Sequence, residues 1–227
     1  MFPLQDDVPT QGTPVVTIAL IVANVVVFLF ELSMQGSNGA ALNAFLAHWG
    51  VVPAQLLANA PRRDEWLTPF TSMFLHAGFL HLGGNMLYLW IFGNNIEDLL
   101  GRDRYLGFYV ACGLVAVASH VASTPHSSLP VIGASGAVSG VLGAYALVYP
   151  RARVRTLVTL GIMLRTFLVP AWVFLVFWFA LQVFSGAMQG RGDGDVAWWA
   201  HVGGFVAGAA LVKLLQVHPP VRERTAL

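Results

Sequence analysis

Apolar residues gather in this chain into long runs separated by short polar segments. Crossing the hydrocarbon of a bilayer takes about 20 mostly apolar residues as helix, because every backbone polar group must find its partner within the segment. Six runs meet or approach that length: 15–33, 81–100, 105–123, 134–149, 167–188 and 198–216. The second carries Asn85, Asn94 and Asn95 and the fourth is short, so their polar residues are expected to face the bundle interior. The stretch 154–164 is about half a span long, flanked by Arg151, Arg153 and Arg165 and interrupted by Arg155. It reads as an interfacial segment leading into the fifth span, with a seventh span the less favoured alternative. The pattern predicts an all-α membrane protein, a six-helix bundle over residues 15–217 with short tails at 1–14 and 218–227. The loop 34–80, with Trp49, Pro53, Pro61 and Trp66, is expected to lie partly in the interface. The glycine-rich loop 189–196 is expected to be a flexible connection and a possible gate. No internal repeat supports an inverted-repeat transporter.

Composition agrees with that pattern. Of the 227 residues 56% are hydrophobic and 10% charged, against about 25% charged in soluble domains. A net charge of +1 gives no electrostatic argument for a nucleic-acid partner, and the single Cys112 excludes an internal disulfide. Asp6 and Asp7 stand where a signal peptide would carry basic residues, so no removable leader is expected. If both termini are cytoplasmic, nine of the twelve basic residues fall inside: Arg102, Arg104, Arg151, Arg153, Arg155, Arg165, Lys213, Arg222 and Arg224. Arg62, Arg63 and Arg191 fall outside. The positive-inside rule then favours cytoplasmic termini, in a plasma membrane of bacterial type, with residues 135 and 201 near the outer face.

Candidate chemistry lies at that outer face. Gly133-Ala134-Ser135-Gly136 opens the fourth run and His201 opens the sixth. A serine is a poor nucleophile without an adjacent general base, most often histidine. Ser135 would occupy the first turn of its helix, where backbone N–H groups lack partners and the dipole favours negative charge. Gly136 and Gly140 on one run, and Ala200, Gly204 and Gly208 on the other, form small-residue faces that let two helices come close. His81 and Asn85, spaced i, i+4 with His76 just upstream, can aim donors at a developing oxyanion.

A serine between glycines is, by itself, more often a packing device, and Ser139 keeps that reading. The combination with His201 and the His81/Asn85 pair favours catalysis. His76, His81 and His201 lack the HExxH pattern or cysteine cluster of a zinc site, so neither metal nor other cofactor is expected. Residues 190–195 contain a GxGD pattern, but in a hydrophilic loop with no second aspartate inside a span, and read as a solvated turn. His48, His120, His126 and His218 have no recognisable partner and are expected at loops or interfaces.

The segments His76-Ala77-Gly78-Phe79-Leu80-His81-Leu82-Gly83-Gly84-Asn85-Met86, Gly133-Ala134-Ser135-Gly136 and Ala200-His201-Val202-Gly203-Gly204 together resemble the rhomboid intramembrane serine proteases, in that family's order. The resemblance implies a rhomboid-like six-helix bundle with Ser135 as nucleophile and His201 as general base. It implies an oxyanion held by His81, Asn85 and the Ser135 N–H, with no carboxylate in the dyad. The implied activity is endopeptidase cleavage of transmembrane segments of other membrane proteins; the alternative is a non-proteolytic relative that binds transmembrane helices. Glu97 with Gly101 resembles the family's acidic residue and glycine at the inner end of the second span, where the role is structural. Ser139 stands where some members carry an aromatic that stacks on the histidine, leaving Trp198 or Trp199 as candidates to orient His201. The tryptophan/arginine pair of the first loop is incomplete, since Leu67 follows Trp66 while Arg62 and Arg63 lie upstream.

Overall fold

Each apolar run becomes a helix in the computed structural model, which describes residues 2–35, 39–58, 62–160, 163–189 and 196–220. A strand β1 (Phe2–Asp6) precedes α1 (Val15–Ser33). Short helices follow, α2 (Ala40–Trp49), α3 (Pro53–Leu56) and α4 (Thr68–Thr71), the last flanked by 3-10 turns at Glu65–Leu67 and Ser72–Phe74. The long helices α5 (Phe79–Leu100), α6 (Arg102–Ser123) and α7 (Ser135–Val148) follow. A hairpin of β2 (Arg153–Leu160) and β3 (Met163–Pro170) leads into α8 (Ala171–Gln189) and α9 (Trp198–Leu215). The loop 190–195, with Arg191 and the GxGD pattern, lies outside the described residues, as do Pro61, Arg222 and Arg224.

Among the described residues four helices, α1, α6, α8 and α9, are long and apolar enough to cross a membrane, and the protein is an integral membrane protein. Helix α5 has the length but carries His81, three asparagines, Glu97 and Asp98. Helix α7 has 14 residues and a rise of about 21 Å, short of a hydrocarbon core of about 30 Å.

The sheet corrects the all-α expectation. Its order is β1-β2-β3, antiparallel throughout, with Phe2 opposite Leu157 and Asp6 opposite Val154. Residues 152–156 alternate buried Ala152, Val154 and Thr156 with exposed Arg153 and Arg155. That period of two, on β-branched residues, belongs to a strand with one covered face rather than to an interfacial helix. The hairpin also takes Phe167 to Pro170, so the fifth long helix starts at Ala171, four residues later than the apolar run suggests. Pro170 contributes, because it disfavours helical backbone at the residue before it.

The N-terminal residues, expected as a tail, pack against the bundle at the end opposite Ser135. The Tyr145 hydroxyl on α7 donates to Asp6, the Arg153 N–H to Asp7 and the Gln11 N–H to Asp98. Burial pushes the Asp6 carboxyl up to about 6, while the bond from Tyr145 pulls the other way. Glu97, buried on α5, accepts from the backbone N–H groups of Val16 and Thr17 at 2.9 and 2.8 Å and from the Thr17 hydroxyl at 2.8 Å. It thereby supplies the cap that Pro14 cannot give the first turn of α1. Gly101, at φ 74°, is the single residue between α5 and α6, a left-handed position that favours glycine.

Helix α7 lies between α6 and α9 with almost no side-chain padding. A Cβ added to Gly204 or Gly208 would collide with the carbonyl of Gly136 or Gly140, and one added to Gly143 with the carbonyl of Phe205. On the opposite side Ala116 and Cys112 of α6 fill the space above Gly136 and Gly140, which gives Cys112 a packing role. Close backbone approach through small residues is the way membrane helices gain contact where burial from water cannot drive them together.

Candidate active site

The α7–α9 seam brings Ser135 and His201 together. Ser135 is the first residue of α7 and His201 lies in the first turn of α9. Ser135 Oγ lies 2.8 Å from His201 Nε2. Gly133, two residues before the serine, has φ 121° and abuts the His81 ring, so a side chain there is excluded by backbone conformation and by space. Its N–H donates to the Ser72 carbonyl at 2.8 Å, tying the serine's approach to the 3-10 turn after α4.

His81 and Asn85 stand on the same face of α5, beside Ser135 along a shared cavity of approximately 590 Å³. His81 Nδ1 accepts from the Ala77 N–H at 3.4 Å, which leaves Nε2 to carry the ring proton on the side of Gly133. The Asn85 amide lies 3.0 Å from His76 Nε2, while His76 Nδ1 faces the Phe74 carbonyl at 3.3 Å. His76 therefore donates through Nδ1 and accepts from Asn85 through Nε2, an arrangement that needs a neutral ring. Burial, with the charge of nearby His81 adding to it, pushes His76 down to about 4 and keeps it neutral. The second hydrogen of the Asn85 amide is left for a group in the cavity. His76 is thus a support for Asn85, and its own backbone N–H donates to Glu31 of α1 at 3.2 and 3.3 Å.

The nitrogens of His76, His81 and His201 point to separate partners. Among the described residues no group of three or more histidine, cysteine, aspartate or glutamate side chains could hold a metal ion. Ser139 donates to the Ser135 carbonyl at 2.6 Å, a back-bond within the helix that fits its packing role.

Two residues near His201 carry no signal in the sequence reading. Gln182 of α8 places Oε1 2.8 Å from His201 Nδ1, and the Trp178 ring lies 6.0 Å from the imidazole. Of the tryptophans expected there, Trp198 meets the imidazole edge-on at 6.1 Å, while Trp199 packs against Gly186 of α8. A glutamine in the middle of α8, amid bulky apolar residues, is the signal that could have drawn attention to Gln182.

Arg62, upstream of the incomplete tryptophan/arginine pair, has partners of its own. It donates to Glu65 and to the His48 carbonyl, each at 2.8 Å. His48 also has a partner, with Nε2 2.9 Å from Asp64. Trp66 is exposed.

Comparison with known proteins converges on one group. Rhomboid protease GluP of Bacillus subtilis is 32% identical over 204 residues, covering 88% of this chain and 36% of its own length. Rhomboid protein 1, mitochondrial, of Saccharomyces cerevisiae is 34% identical over 169 residues, 70% of this chain and 45% of its own. Rhomboid-type serine protease 2 of Emericella nidulans is 29% identical over 181 residues, 77% of this chain and 32% of its own. The chain thus spans less than half the length of each of these relatives. The family model of the Rhomboid domain matches residues 63–217, a stretch that contains every residue of the cavity and runs from just before α4 past the end of α9. With that match over more than half its length, the chain belongs to the rhomboid family.

Proposed function

We propose that the protein is an intramembrane serine endopeptidase that cleaves transmembrane segments of other membrane proteins with a Ser135–His201 dyad. The observation that carries this reading is the 2.8 Å contact between Ser135 Oγ and His201 Nε2, at a cavity that His81 and Asn85 also line. His201 Nε2 takes the hydroxyl proton as Ser135 Oγ attacks the scissile carbonyl. Asn85 Nδ2, His81 Nε2 and the Ser135 N–H hold the oxyanion. His201 then gives its proton to the departing amine, and water, deprotonated by the same nitrogen, hydrolyses the acyl-enzyme.

The protein works as six spans, α5 and α7 completing the four apolar ones. Their polar and small residues are tolerated because His81 and Asn85 line the cavity, Asn94, Asn95, Glu97 and Asp98 bond to the N-terminal segment and the start of α1, and the α7 glycines line the seam. Both termini and the β-sheet are cytoplasmic and the cavity opens towards the outer face, in a plasma membrane of bacterial type. A helical substrate hides its carbonyls in its own hydrogen-bond ladder, so the favoured substrates unwind readily near the outer face.

Incubation of the purified protein in liposomes with a transmembrane substrate tests the reading. Cleavage is expected from the wild type and lost in Ser135→Ala. Tight binding of the substrate helix without cleavage would favour a non-proteolytic helix-binding protein instead, and solute flux surviving Ser135→Ala a transporter.

A further inference from the structure

We propose that Gln182 is a positioning residue for the Ser135–His201 dyad, its amide oxygen holding His201 in the tautomer that can take the serine proton. The inference rests on the protease reading above and assigns a third side chain to that site.

The hydrogen bonds fix the roles in sequence. Gln182 Nε2 donates to the Trp178 carbonyl at 3.2 Å, an oxygen that can only accept. The other end of the amide, Oε1, is therefore the atom 2.8 Å from His201 Nδ1. An amide oxygen cannot donate, so Nδ1 must carry the hydrogen. A neutral imidazole has one N–H, which leaves the lone pair on Nε2, and Nε2 is the atom 2.8 Å from Ser135 Oγ. The other tautomer would set lone pair against lone pair at Gln182 and present an N–H to the nucleophile. After proton transfer both ring nitrogens carry hydrogen, and Gln182 still accepts from Nδ1, so the bond survives the step.

Burial makes this choice of tautomer costly to reverse. Gln182 is 6% exposed on a helix whose other faces carry Trp172, Val176, Phe177 and Phe184 outward. Trp178 and Trp198 flank the imidazole, so the ring is held between large side chains while Nδ1 faces the amide. Gln182 thus does for His201 what a carboxylate does in a three-residue triad, without a second charge in the membrane. It also answers the absence of an aromatic at Ser139, because the support comes from α8 rather than from α7.

The test uses full-length protein in liposomes, with kcat and KM measured on a transmembrane substrate. Gln182→Met keeps the volume and removes the acceptor, while Gln182→Glu keeps an acceptor. Gln182→Met is expected to lower kcat about 10- to 100-fold, the range for losing a partner that fixes a histidine's tautomer, with KM and thermal stability little changed. Gln182→Glu is expected to recover most of that loss. Wild-type kcat in Gln182→Met, or an equal loss in both variants, would overturn the inference. Imidazole 15N shifts of the wild type, assigned by their loss in His201→Ala, supply a readout that needs no Gln182 variant. A protonated Nδ1 with an unprotonated Nε2 is expected, and the reverse would overturn the proposal. A wild type that neither cleaves nor takes a serine-directed probe would sink the protease reading itself. A cleaving wild type with an unaffected Gln182→Met would sink this inference alone.

Discussion

The two helix contacts that meet at His201 are built in opposite ways. Between α7 and α9 glycine faces backbone, and no atom can be added at Gly204 or Gly208 without displacing a carbonyl. Between α8 and α9 the contact is made by large rings, Trp178 and Phe179 on Phe205 and Trp199 on Gly186. A glycine seam has one closest approach and sets the Ser135–His201 distance. A ring contact can repack, and α8 sets the orientation of the imidazole rather than its position. The seam is also pinned at the end away from Ser135, where Tyr145 of α7 meets Asp6 of β1.

The largest effect that tests this contrast is steric. Gly204→Val places two methyl groups against the Gly136 carbonyl, and the helices must part. Overpacking costs about 1–3 kcal/mol even where side chains can yield, and here backbone must move. Thermal denaturation in detergent is expected to show a large drop in Tm, with cleavage lost. Val176→Ala, on the outward face of α8, is expected to leave both near wild type; equal effects from the two would break the contrast.

Next comes Asn85→Ala, which removes the proposed oxyanion donor and leaves His76 Nε2 without its partner. Removing one such donor lowers kcat about 10²- to 10³-fold. The orphaned buried acceptor costs about 1–3 kcal/mol of stability, visible as a lower Tm. A loss confined to KM would contradict the oxyanion role.

The smallest effect concerns the Tyr145–Asp6 contact. The folded-state value of Asp6 is raised from 3.8 to about 6, chiefly by burial, so the folded protein holds its proton more tightly than the unfolded chain does. The stability that Asp6 contributes is present in full below about 3.8 and is lost as pH rises through about 6. Asp6→Asn keeps an acceptor for Tyr145 and removes the titration. Its Tm relative to wild type is expected to climb between pH 4 and 7 and then level off. A difference that is flat with pH would show that the Asp6 carboxyl does not titrate against the fold.

Much of this architecture was legible in the sequence because its causes are local. The runs that became α1, α5, α6, α7 and α9 ended within three residues of the helices formed, since length and apolarity decide them. The approach of Ser135 to His201 followed from glycine spacing, which is also a property of single helices. The sheet escaped because the arginine-flanked stretch was weighed by length, while its alternation was the telling feature and its partner β1 lies some 150 residues away. Gln182 and the Asn85–His76 bond escaped for a related reason. A contact between side chains on different helices leaves no periodic trace, and only the isolated polarity of Gln182 hinted at it.

The central claim is that Ser135 is a nucleophile activated by His201, and a fluorophosphonate probe on the intact protein in liposomes tests it most directly. Peptide mapping is expected to find the adduct on Ser135 in the wild type and none in His201→Ala, whose serine is present but lacks its base. An adduct on another residue, or undiminished labelling of Ser135 in His201→Ala, would contradict the account.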